Sequence, residues 1–125
     1  MADDRKAFVI KRGDMGEITV AEEVVAITAG IAATEVEGVS AMAGNITNEL
    51  VAKLGMKNLS KGVSVEMTGG EVRVFVAVVV AYQANVPKVS KDIQEKVKTS
   101  IENMTGLHVA EVNVKIAGID VGKDN

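Results

Sequence analysis

Val72-Arg-Val-Phe-Val-Ala-Val-Val-Val-Ala-Tyr82 is eleven residues long, rich in β-branched side chains and free of glycine and proline. That length and composition fit a strand rather than a helix. Side chains alternate along a strand, so Val72, Val74, Val76, Val78, Val80 and Tyr82 share one face. The other face begins polar at Glu71 and Arg73, then turns apolar at Phe75, Ala77, Val79 and Ala81. A strand that is apolar on both sides over its second half must be covered twice. What covers the second side is the question this chain poses.

The flanking segments supply the first cover. Val63, Val65 and Met67 alternate with Ser64 and Glu66, which predicts a strand with one wet face. Thr68-Gly-Gly-Glu71 is a turn that joins it to the central strand as an antiparallel hairpin. Beyond Tyr82, Asn85 is set to cap a helix, and Pro87 fits the first turn because its missing N–H has no helical partner there. Val86, Val89, Ile93, Val97, Ile101 and Met104 recur on one face of this helix. Lys88–Asp92, Lys91–Glu95 and Lys98–Glu102 pair at i,i+4 on the other. Gly106 closes the helix, and Leu107 to Ala117 returns as a strand. Leu107 and Val109 share one parity while Val112, Val114 and Ile116 share the other, a slip that predicts a bulge near Ala110-Glu111. The even face of the central strand is then core beneath Ile93, Val97 and Ile101.

The N-terminal half is less regular. Met1 to Asp14 is dense in charge, with Phe8, Val9 and Ile10 as its only apolar cluster, and reads as a loosely held arm or an edge strand. Gly16 to Val20 is extended, and Thr19 with Glu22 has the spacing of a capping box for a helix from about Val20 to Val36. This helix carries charge only at its ends and is apolar nearly all round, so it is buried on more than one side. Its small residues suit either core packing or a subunit contact. Gly38 to Gly44 predicts a short strand. Asn45 or Thr47 then caps a shorter helix with Ile46, Leu50, Val51 and Leu54 on one face. Lys53, Lys57 and Lys61 lie close together around its end; they are either a weak anion-binding set or a solvated loop.

With 125 residues the chain makes one ordinary domain. A net charge of −3 gives no pull toward nucleic acid, and two Phe and one Tyr leave little aromatic surface for stacking bases. The absence of cysteine removes disulfides, thiolate metal sites and a cysteine nucleophile. His108 is the sole histidine, placed on the wet side of its strand, so no Ser-His-acid set and no His-based metal site can be built around it. The first residues do not form a secretory signal, and Val24 to Thr34 falls well short of the roughly 20 residues a membrane span needs. The residues therefore predict no catalytic set, no cofactor and no metal, in a soluble cytoplasmic protein without direct membrane insertion.

Several segments together resemble the bacterial alkaline shock protein family, also called envelope stress response proteins. They are Gly16-Glu-Ile-Thr-Val20, the run from Ile27 to Val39, Lys61-Gly-Val-Ser-Val65, Asn85-Val-Pro87, Asn103-Met-Thr-Gly-Leu107, and Val109 to Gly118. The resemblance spans Gly16 to Ile119. It implies a small non-enzymatic protein of cell-envelope homeostasis that self-associates as a homo-oligomer. It also implies placement, for some members, at the inner face of the membrane through a separate anchored partner protein. No catalytic residues come with it.

The expected architecture is α+β: a small mixed β-sheet with three helices packed mainly on one face. A flexible arm (1–15) precedes an alkaline-shock-like domain (16–119), and a flexible tail (120–125) follows. The expected function is a protein-interaction or scaffolding module; the alternative is a regulator that binds a small anionic ligand or a metabolic enzyme through Lys53, Lys57 and Lys61. Neighbouring odd-face positions, Ser64, Glu66, Glu111, Asn113 and Lys115, are all polar. Phe75, Ala77 and Val79 are thus apolar on a side otherwise built for water, and they form the candidate protein interface.

Overall fold

The valine-rich stretch is strand β5 (Glu71–Ala81), which among the described residues is the only strand of its sheet that pairs on both sides. A computed structural model of the chain describes residues 7–43 and 62–122. On one side of β5, β6 (His108–Asp120) runs parallel to it along its whole length. On the other side, β4 (Val63–Thr68) pairs antiparallel with the first half of β5 and β3 (Val39–Met42) with the second half. Both donate to or accept from Ala77 at the junction: the Ala43 N–H donates to the Ala77 carbonyl at 2.9 Å, and the Ala77 N–H donates to the Gly62 carbonyl at 2.8 Å. β3 and β4 therefore form one edge strand in two pieces. Gly62 is required where the pieces meet, since its φ is +81° and a Cβ would sit 3.1 Å from the Ala77 carbonyl oxygen.

Two helices cover the even face of this sheet. Helix α1 (Glu22–Thr34) lies toward β3 and β4, and α2 (Val86–Thr105) toward β6, with the two helices in contact. Val72, Val74, Val76, Val78 and Val80 are all at most 2% exposed and share one cluster with Val25, Ala29, Ala33, Ile93, Val97 and Ile101. α2 is locally specified as its sequence predicts. The Asn85 side chain accepts from the Lys88 N–H at 3.1 Å, Pro87 lies in the first turn, and Gly106 ends the helix at φ 78°. The three i,i+4 ion pairs are present on its outer side. The predicted bulge is at Ala110, where the β5–β6 register shifts between Val109 and Glu111; a second, unforeseen one falls at Ala117.

Other expectations are corrected. The described residues contain two helices rather than three, with six strands in two sheets, so the mixed α+β fold is richer in strand than expected. The third helix, expected over 45–54, lies outside the described residues. Part of the extra strand is β1 (Ala7–Gly13), which pairs antiparallel with β2 (Gly16–Ala21) as a separate two-stranded ribbon. Of the two readings of this charged segment, a loosely held arm or an edge strand, residues 7–13 take the second, with Phe8 its buried residue. The Thr19–Glu22 capping box is not formed. Thr19 sits within β2 opposite Val9, and α1 starts after Ala21 without a side-chain cap. Tyr82 is not core: β5 ends at Ala81, the chain turns through Gln83 at φ 78°, and Tyr82 is 62% exposed.

Candidate functional site

The odd face of β5 carries no helix among the described residues, and its side chains form graded rows across the sheet. Pairing places Glu66, Arg73 and Glu111 in the first row and Ser64, Phe75 and Asn113 in the second. Ala77 follows beside Lys115, and the last row is Ala41, Val79 and Gly118. The face thus runs from charged, through a single aromatic ring, to small and apolar.

Each row has a physical reason. Arg73 Nε lies 3.3 Å from a Glu111 carboxylate oxygen, with both side chains partly exposed. Asn113 donates to the other Glu111 oxygen at 3.0 Å and to the Val74 carbonyl at 3.4 Å, which holds the polar end flat against the strands. Phe75 is 38% exposed because its cross-strand neighbours, Ser64 and Asn113, are short. Small residues on either side leave a shallow hollow of about 370 Å³ beside the ring, lined by Gly62, Ser64, Phe75, Ala77, Asn113 and Lys115. Ala77 and Val79 are half-buried. The structure therefore brings the three predicted interface residues onto one continuous surface. Ala41 and Gly118 extend it and were not foreseen, since only the register of β3 and the second bulge reveal them.

The other candidates fare differently. Lys53, Lys57 and Lys61 lie outside the described residues. His108 is exposed, with Nδ1 3.4 Å from Glu102 and Nε2 3.7 Å from Glu71. Glu102 accepts the Val109 N–H at 2.9 Å and the Lys98 ammonium at 3.1 Å; those bonds, the Val109 one first, hold its carboxyl below the usual carboxylate range. This arrangement clamps the end of α2 to the start of β6. Among the described residues no group of three or more His, Cys, Asp or Glu could hold a metal ion. No helix among them is long and apolar enough to cross a membrane.

The chain is 38% identical over 105 residues to the Bacillus subtilis protein YqhY, covering 84% of this chain and 78% of that one. It is 32% identical over 112 residues to YloU of the same organism, covering 88% and 93%. A Streptococcus pyogenes protein named as a stress response regulator gls24 homolog is 32% identical over 105 residues, 83% of this chain and 59% of the relative. Among solved structures, a MamM CTD superposes with a TM-score of 0.49 at 15% identity, covering 78% of this chain and 95% of that one. A family model matches residues 11–121, nearly all of the described chain. The chain belongs to the alkaline shock protein 23 (Gls24) family, a family of cell envelope-related function.

Proposed function

We propose that this chain is a non-enzymatic, self-associating interaction module of the cell-envelope stress response, and that the odd face of β5 is where one copy meets another. The observation that carries this is that Phe75, Ala77 and Val79 have no cover among the described residues, on a sheet face that is charged at its Arg73 end and carries Lys115 beside Ala77. Apolar side chains grouped on one open surface and rimmed by polar ones are the composition of a contact site.

A second copy is the occupant that the charges favour. Glu66 and Glu111 flank Arg73 at one end with a net negative charge, while Lys115 stands toward the other, with Asp120 beyond it, and makes no ion pair among the described residues. Two copies stacked face to face in antiparallel sense bring each acidic end over the other's lysine and put Phe75 of each into the hollow beside the other. In this reading the protein works on the cytoplasmic side, and a separate anchored protein supplies any attachment to the membrane.

The test is light scattering across micromolar concentrations, on the native chain and on the Phe75→Lys, Val79→Lys double variant. The native chain should show an oligomeric mass, and the variant a lower mass with an unchanged far-ultraviolet circular dichroism spectrum. A native monomer at every concentration would overturn the reading. So would a variant that unfolds, since the face would then be internal core.

A further inference from the structure

The free edge of β6 divides into two unlike halves. In the first half, side chains from α2 reach round to the backbone. Lys98 donates to the Val109 carbonyl at 3.1 Å, Glu102 accepts the Val109 N–H at 2.9 Å, and Gln94 donates to the Val112 carbonyl at 3.1 Å. Those groups point away from β5. By alternation along the strand, the N–H and C=O of Val114 and Ile116 point the same way. Among the described residues no side chain or strand meets them. Natural proteins cover or interrupt such edges because an open row of donors and acceptors recruits another strand. Here the cover stops halfway.

The uncovered half also carries exposed apolar and unpaired charged groups. Ile119 is 59% and Val121 76% exposed. Lys115 and Asp120 lie on the odd face, opposite Ala77 and Ala81, and neither has an ion-pair partner among the described residues. At about 3.3 Å per residue they are roughly 13–16 Å apart along one strand, too far to pair within a copy.

We infer that the second half of β6 pairs antiparallel with the same segment of a second copy, about a two-fold axis between Ala117 and Gly118. That register sets Lys115 against Asp120 of the partner copy and Asp120 against its Lys115. On the helix side it sets Ile116 against Ile119 in both directions. Two neighbouring registers are worse. An axis through Lys115 opposes two lysines, and an axis through Asn113 needs the Val112 carbonyl that Gln94 already occupies. Opposite charges directly across a strand pair are favourable and like charges unfavourable, so this register is selected by sign as well as by open backbone. The contact uses none of Phe75, Ala77 or Val79 but shares Lys115 with the face-to-face reading, so Asp120→Lys, the combined charge swap and the cross-link are what separate the two.

Sedimentation velocity on the full chain with charge reversals tests it. Lys115→Asp alone and Asp120→Lys alone should each weaken this association by about tenfold or more. The combined Lys115→Asp, Asp120→Lys variant should restore it, which a merely structural role would not produce. The native chain has no cysteine, so Lys115→Cys with Asp120→Cys gives an unambiguous cross-link. Directly opposed antiparallel positions fall within disulfide reach, and oxidation should yield a covalent dimer on a non-reducing gel. Equal association by all three charge variants, or absence of the covalent dimer, overturns the inference. If association is lost only in the Phe75→Lys, Val79→Lys variant, the edge contact is wrong and the face contact stands.

Discussion

Over its second half β5 is apolar on both faces, yet the two faces meet different environments. Five valines on the even face are at most 2% exposed, whereas Phe75 on the odd face is 38% exposed and Ala77 and Val79 are only half-buried. From Phe75 onward hydrophobicity alone does not separate them. What separates them is where the two helices lie, and that depends on connections. β5 leads through α2 into a parallel neighbour, and the crossover helix packs on the face where its own apolar stripe is met by valines. α1 joins the same layer. The difference teaches that apolar composition marks a surface as able to be buried, while the path of the chain decides which surface the described helices cover.

The comparison is broken most directly on the buried side. Ile93 has 0% exposure and packs in the even-face cluster, so Ile93→Ala should cost about 2–5 kcal/mol of unfolding free energy in urea titration. On the odd face, Phe75→Ser should change the same quantity by less than about 1 kcal/mol, despite removing a larger side chain. Comparable losses at the two sites would mean that both faces are core, and the asymmetry would be gone.

Much of this arrangement was legible locally. Asn85, Pro87 and Gly106 delimit α2 by the chemistry of helix ends, and the parity slip after Val109 announces the bulge at Ala110. The hairpin turn at Gly69-Gly70 follows from positive φ angles that glycine alone adopts freely. What was hidden depends on distant partners. Nothing near Val39 says that β3 shares an edge with β4, because that requires residues 43 and 62 to meet at Ala77. The start of α1 was misjudged because Thr19 serves in a strand pair with Val9, and ladder bonds there displace a local cap. Of the candidate site, Phe75, Ala77 and Val79 could be found from alternation. Ala41 and Gly118 could not, since two register shifts bring them level with Val79.

A smaller effect sharpens the account of how the covered side is held. The cap at Asn85 anchors the start of α2 through one hydrogen bond to Lys88, and Asn85→Ala should cost about 1 kcal/mol. Because the odd face has no contact with this helix end, the substitution should leave the oligomeric mass unchanged at concentrations where the chain stays folded. A drop in mass without unfolding would show that the roof and the open face are coupled.

The smallest expected effect concerns the seam between roof and sheet, where Glu102 accepts the Val109 N–H and the Lys98 ammonium beside His108. These bonds lower the Glu102 pKa in the folded state. A carboxyl with a depressed folded pKa contributes stability that is fully present above its unfolded value and is lost as pH falls through its folded value. Glu102→Gln keeps a carbonyl oxygen for Val109 but gives up the charge that faces Lys98 and His108. Unfolding measured from neutral pH down through the carboxylate range should therefore show a shallower acid limb for the variant than for the native chain. The two curves should approach one another at the acid end. Parallel curves would mean that the seam is held by geometry alone. In the native chain, the protection of the Val109 amide, its exchange rate relative to the intrinsic rate at each pH, should fall over the same interval, because protonation weakens the acceptor that covers this stretch of β6. Protection at Val74, inside the sheet and away from the seam, should not.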